Sequence, residues 1–284
     1  MSAEPGSART PDGPRNVLVT GGSRGIGRAI AERFSRTGDR VWLTYRSQAE
    51  RAKVFVEELA AAGAQAEAFE FDQGNWSSHV SLLGRLPGPV DVLVNNAAVG
   101  TKSVEDYVQG AAHEKDAAIL RINGTGPLWL VSQILPGMIE RGYGKIINLA
   151  SVGGGVAVFP GFNVADGMSK AAIAYLTRHL AADLTHQPVA VFAVCPGAVD
   201  TDMLRASTLE ALPASQRDAL TAGLPRGRLL RPEEIAEIVW WLSTEPACVL
   251  SGAVIDASMG LGVYPGLITQ WKTDARGAGI KDYG

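Results

Sequence analysis

The chain has 284 residues, 46% of them hydrophobic and 19% charged, with a formal charge of −3. This is the balance of an ordinary globular protein with a sizeable core, and it leaves no electrostatic footprint for nucleic acid or an anionic membrane surface. Two cysteines without a CxxC, and four histidines (His79, His113, His179, His186) without ligand spacing, disfavour a disulfide scaffold or a metal site. Cys195 and Cys248 are expected to be inert buried thiols. There is no apolar signal segment and no run long enough to span a bilayer, so a cytoplasmic enzyme is expected.

Residues 1–14 are rich in Ser, Ala, Gly and Pro without periodicity and read as a disordered leader. From there strands and helices alternate. Strands are predicted over 17–20, 41–45, 66–71, 90–95, 145–149, 190–194 and 254–256. Helices are predicted over 26–37, 49–62, 77–85, 169–185 and 232–244, with a longer helical region near 115–140 that Pro127 and Pro136 should kink. Regular βα alternation without a composition break implies an α/β fold, a single doubly wound domain over 15–260. The stretch 201–231 is long, polar and interrupted by Pro213 and Pro225, and reads as a substrate lid at the carboxyl end of the sheet. A tail over 261–284, with Tyr264, Trp271 and Tyr283 among glycines, is either packed on a neighbouring subunit or loose.

Thr20-Gly21-Gly22-Ser23-Arg24-Gly25-Ile26-Gly27 follows the first strand and opens the first helix. Strand, tight glycine turn and helix N-terminus together hold a nucleotide pyrophosphate: Gly21 turns the chain, Gly25 lets backbone approach phosphate, and Gly27 lets the helix pack on the strand. Ile26-Gly27 stands where a phosphate-transfer loop needs Lys-Ser/Thr, which disfavours that alternative.

Taken with Asn95-Asn96-Ala97-Ala98, Asn123, Leu149-Ala150-Ser151, Ser169-Lys170-Ala171-Ala172 and Pro196-Gly197-x-x-x-Thr201, each on its expected element, the chain resembles the short-chain dehydrogenase/reductase family, 3-oxoacyl reductase-like members included, over nearly all of 17–260. The resemblance implies a Rossmann-type, seven-stranded, mostly parallel sheet with helices on both faces. It also implies a nicotinamide cofactor, a small-molecule substrate and a homotetramer or homodimer. It assigns cofactor contacts to Gly21, Ser23, Arg24, Gly25, Ile26, Gly27, Asp72, Asn95, Ala97, Lys170, Pro196, Gly197, Val199 and Thr201, although Gln73 departs from the apolar residue usual after that aspartate. Catalysis would fall to Ser151, Lys170 and Asn123, with Asn123 holding a water linked to Lys170. The end of the second strand is Tyr45-Arg46 without a carboxylate, and Arg24 lies in the glycine loop. Two guanidiniums near one ribose favour NADPH/NADP over NADH.

The catalytic stretch departs from the family. Its tyrosine belongs one helical turn before the lysine, and here that position is Asp166. No tyrosine lies between Ser151 and Lys170, and Gly153-Gly154-Gly155 through Phe162 form an unusual loop. Beside Lys170 an aspartate is expected to stay ionised unless desolvation overrides the charge. An anionic Asp166 opposes charge building on a carbonyl oxygen and favours a cationic electrophile, an iminium or hemiaminal-derived C=N⁺ centre. On that logic the substrate is a nitrogenous secondary metabolite, such as an antibiotic being made or inactivated. Two alternatives stand beside it: a carbonyl reductase in which Asp166 is protonated, or Tyr264 or a water relay replaces it, and a catalytically silent NADPH-binding subunit. Asp166 is also a natural helix N-cap.

Overall fold

A computed structural model of the chain describes residues 13–159, 162–210 and 212–264. The expected leader lies almost wholly outside these residues, as do Trp271 and Tyr283 of the tail. The order begins β1 (Asn16–Val19), α1 (Gly25–Ser35), β2 (Arg40–Tyr45), α2 (Ala49–Ala61), β3 (Ala66–Glu70), α3 (Trp76–Arg85) and β4 (Val92–Asn95). It continues through α4 (Ala112–Leu120), α5 (Gly126–Arg141), β5 (Gly144–Leu149), the single turn α6 (Val152–Gly155), α7 (Val164–Asp183) and β6 (Val189–Pro196). The short α8 (Asp202–Leu204), then α9 (Ala214–Ala222), α10 (Pro232–Leu242) and β7 (Val254–Ala257), complete it. No helix among the described residues is long and apolar enough to cross a membrane.

All seven strands form one sheet in the order β3-β2-β1-β4-β5-β6-β7, and every pairing is parallel. The central strands are apolar on both faces because each face is covered. On one side Ile30 and Phe34 of α1, Phe55 and Leu59 of α2, and Ile235 and Val239 of α10 pack on Val17, Val19 and Val94. On the other, Leu82 of α3, Leu130 and Met138 of α5, and Ile173 and Leu180 of α7 pack on Leu18, Leu93 and Ile146. The neighbours of β1 are β2 and β4, so a crevice opens beyond the carboxyl ends of β1 and β4, where the strand order reverses.

Three features differ from the sequence reading. The region before α5 is broken by a π-turn, Arg121–Thr125, rather than a bend at Pro136, which lies inside α5. Pro127 has no N–H for the carbonyl of Asn123, and a wider turn absorbs the misfit. Helix α7 starts five residues earlier than predicted because Asn163 caps it, its side chain accepting from the Asp166 N–H at 2.9 Å. Asp166 is therefore not the cap. The stretch 201–231 is not an open loop: it holds α8, a π-turn (Arg205–Leu209) and α9. Its ends are clamped, Asp200 N–H donating to Leu230 O and Leu230 N–H to Ala198 O, both at 2.8 Å.

Under the crevice the sheet carries a polar ladder. Asn95 Nδ2 donates to Asn148 Oδ1 at 2.8 Å, and Asn148 Nδ2 donates to Thr177 Oγ1 at 2.9 Å. All three residues are buried. Replacing Asn148 by Ala leaves the Asn95 amide without its acceptor, so urea unfolding is expected to show a loss of about 1–3 kcal/mol; an unchanged midpoint would show that the ladder carries no stability.

Candidate active site

A cavity of ≈ 680 Å³ occupies the crevice. Its floor is the glycine turn, in which Gly21 and Gly25 adopt left-handed conformations, φ 64° and 52°. Gly27 is fixed by packing, since a Cβ there would lie 2.3 Å from Gly21 O and 2.5 Å from Asn96 Nδ2. Thr20 and Asn96 tie the turn to the end of β4. The Thr20 Oγ1 accepts from the N–H groups of Asn96 and Ala97, and Asn96 Nδ2 donates to the Thr20 and Gly21 carbonyls. Helix α1 has neither a side-chain cap nor an acidic residue in its first turn, so its amino end presents free N–H groups and positive potential to the cavity.

Of the residues expected from the sequence, Gly21, Ser23, Arg24, Gly25, Ile26, Gly27, Arg46, Ala97, Ser151, Asp166, Lys170, Pro196, Gly197, Val199 and Thr201 all line the cavity. Three do not. Asn95 points its amide into the ladder, and Asn96 takes the place at the wall. Asp72 folds back to accept from the Gly74 N–H at 2.9 Å, while its neighbours Phe71 and Gln73 face the cavity. Asn123 is buried behind the wall, bonding both backbone groups of Val99 and donating to Ser169 Oγ at 3.3 Å. It positions the turn after β4 against α7 rather than meeting a ligand directly.

At the inner end Ser151, Asp166 and Lys170 converge from the end of β5 and the first turns of α7. The Ser151 Oγ accepts from the Gly153 N–H at 3.2 Å, which leaves its proton free to donate. The Ser169 hydroxyl donates to the Asp166 carbonyl at 2.7 Å and braces that turn. Asp166 Oδ1 is buried and has no protein hydrogen-bond partner. Burial pushes this carboxyl above its ordinary value, and the nearby Lys170 ammonium pulls only part of the way back. Lys170 is itself lowered by burial, against the opposing pull of Asp166 and Cys195. The exception allowed for in the sequence, desolvation acting against the charge of Lys170, is thus the direction in which this carboxyl moves.

This architecture is shared with known proteins. Residues 15–211 match the short chain dehydrogenase family. The chain belongs to that family. It is 32% identical over 249 residues to an acetoacetyl-CoA reductase of Rhizobium meliloti, covering 87% of this chain and 98% of the relative. It is equally identical, over 257 residues, to the 3-oxoacyl-(acyl-carrier-protein) reductase MabA of Mycobacterium tuberculosis, covering 90% and 96%. A crystal structure of an actinorhodin polyketide ketoreductase variant with NADPH is similar at a TM-score of 0.77 and 32% identity, covering 88% of this chain and 98% of that one. The RhlG/NADP active-site complex of Pseudomonas aeruginosa is similar at 0.76 and 29% identity, covering 88% and 97%.

Sequence reasoning missed several walls of the site. Phe159, Phe162, Met203, Leu204 and Leu261 make one side apolar, and none sits in a motif that marks it. Gln73 had a signal, being polar where the family resemblance led to an apolar residue being expected. Its Nε2 donates to the carbonyls of Ala97 and Ile122, both at 2.8 Å, and so ties the π-turn to the cavity wall. Tyr107 also lines the cavity, with the Arg46 guanidinium 4.0 Å above its ring. Cys195 is the inert thiol expected, buried and pushed up to about 11. Cys248 is half-buried rather than buried as expected, and Lys145 Nζ contacts its sulfur.

Carbon NMR of the Asp166 carboxyl is expected to give a titration midpoint above the ordinary 3.8. Lys170→Met removes the opposing charge, so the midpoint moves further up; a wild-type midpoint at or below the ordinary value would mean that the carboxyl is governed by charge rather than burial.

Proposed function

We propose that this chain is an NADPH-dependent carbonyl reductase of the 3-oxoacyl type, with Asp166 as the proton donor in place of the family's tyrosine. The observation that carries the reading is the buried, unpartnered Oδ1 of Asp166 on the same wall as Ser151 and Lys170. Burial shifts a carboxyl in that setting towards its neutral form, which is the form that donates a proton to oxygen. The relatives that act on acetoacetyl-CoA, on 3-oxoacyl carrier protein and on polyketide ketones support the same substrate class. The C=N⁺ reading needed a fixed negative charge at Asp166, and burial works against that charge.

The residues fit the cofactor. The uncapped start of α1 with Gly21 and Gly25 suits a pyrophosphate, and Arg24 and Arg46 suit the 2′-phosphate that distinguishes NADPH. NADPH when bound supplies the hydride. The substrate carbonyl oxygen sits between the Ser151 hydroxyl and the Asp166 carboxyl, receiving a hydrogen bond from each. As negative charge grows on that oxygen, the Asp166 proton moves to it and the product is an alcohol. The Lys170 ammonium stabilises the carboxylate left behind and then returns a proton to it, a transfer favoured by its own lowered affinity. Phe159, Phe162 and Leu261 exclude water from the reacting carbonyl. The clamped stretch 201–231 acts as the lid, with Met203 and Leu204 facing the substrate and Arg51–Asp202 latching it to α2. A homodimer or homotetramer is part of the same reading.

With acetoacetyl-CoA as substrate, Asp166→Asn is expected to lower NADPH turnover by about 10²–10⁴-fold. Because the neutral acid is the active form, wild-type turnover falls as pH rises through the Asp166 titration. Faster turnover of a cyclic iminium than of the ketone would refute the carbonyl assignment.

Arg46→Asp removes one guanidinium from the ribose end and adds the carboxylate that a 2′-OH prefers. The ratio of kcat/KM for NADPH over NADH should fall at least tenfold; an unchanged ratio would assign Arg46 to packing on Tyr107 alone.

A further inference from the structure

At the amino end of the sheet, away from the cavity, Lys145 of β5 is 1% exposed. Its Nζ lies 2.6 Å from Cys248 Sγ and 3.1 Å from Glu245 Oε2. Both partners belong to the 3₁₀ turn Glu245–Leu250 that leads towards β7. Burial lowers the affinity of this amine for its proton, and the hydrogen bonds and charges of Cys248 and Glu245 more than reverse the effect. The nitrogen–sulfur separation is the unusual quantity. Ordinary N–H···O bonds span about 2.7–3.2 Å, and sulfur is larger than oxygen, so a hydrogen bond to it should be longer. A separation of 2.6 Å is one that a single bridging oxygen spans. Cys248 is half-buried and its neighbour Val249 is exposed, so a small oxidant reaches the sulfur.

We propose that Lys145 and Cys248 form a covalent modification site, joined by an oxidant of the peroxide class through one oxygen into an Nζ–O–Sγ bridge. The Cys248 sulfur attacks the O–O bond of a first peroxide, giving a sulfenic acid and water. The Lys145 ammonium, 2.6 Å from that sulfur, gives its proton to the hydroxide leaving this peroxide, which completes the water and frees the amine. The freed amine attacks a second peroxide, giving a hydroxylamine and water. The hydroxylamine oxygen then attacks the sulfenic sulfur and displaces a third water. Two peroxides are consumed, the amine and thiol together lose four electrons, and three waters and one proton leave. Two dithiol molecules reverse the change, restoring amine and thiol and releasing the bridging oxygen as water. The bridge closes a loop of 103 positions between β5 and the turn before β7, so it restricts the unfolded chain.

The test treats the full-length protein with hydrogen peroxide, digests it without reduction and maps it by mass spectrometry. The expected product joins the Lys145 peptide to the Cys248 peptide, at the sum of their masses plus one oxygen and minus two hydrogens. It disappears after dithiothreitol, and the Tm of the oxidised protein is higher by roughly 5 °C in the same reversible way. Cys248→Ser gives neither signal, and Glu245→Gln, which removes a charge that holds the Lys145 proton, forms the bridge several-fold faster. Cys248 left unreacted, a sulfenic or sulfinic Cys248 with Lys145 free, or a direct N–S link without the oxygen would each overturn the proposal.

Discussion

The site depends on how closely two strand ends can be held together. The Asn96 amide donates to the Thr20 and Gly21 carbonyls, and the Thr20 hydroxyl accepts from the backbone just beyond β4. Helix α1 can then begin directly over this knot, because Gly27 offers no Cβ to collide with Gly21 or Asn96. The crevice, the exposed helix amino end and the placement of the cavity floor all follow from that one close approach. The strands supply the frame at little local cost, since they are apolar on both faces and covered by helices on both sides.

Much of this was legible in the sequence. The strand-turn-helix order marked the floor, and runs such as Val17-Leu18-Val19 marked strands buried on both sides. What escaped was set partly by contacts between distant segments and partly by local caps and turns. The start of α7 turned on Asn163, a cap whose significance depends on where the preceding turn delivers it. The pair Asn95-Asn96 could not be told apart by pattern, and in the fold one faces the ladder and the other the cavity. Asp72 is aspartate for its turn to Gly74, and Gln73 is glutamine to bridge Ala97 and Ile122. The apolar wall of Phe159 and Phe162 carries no spacing signal because it is built from an irregular segment.

The proton affinity of Asp166 shows where counting charges along a helix falls short. Lysine one turn away argues for an ionised carboxylate, and in water it would prevail. Within the crevice both groups lose hydration, and each moves towards its neutral form. The two shifts in opposite directions bring acid and amine closer in proton affinity, which is the condition for passing a proton between them.

The three glycines after Ser151 have a consequence for anyone moving this chemistry into another scaffold. Gly154 adopts φ 88°, and a Cβ on it would lie 2.1 Å from the carbonyl oxygen of Gly167, while one on Gly155 would meet the Cys195 sulfur at 2.7 Å. The turn carrying the serine is thus pressed backbone to backbone on the turn carrying the acid. Asp166, its neighbour Gly167 and the glycine turn therefore form one packed unit, and a graft that splits them loses the contact that sets their spacing.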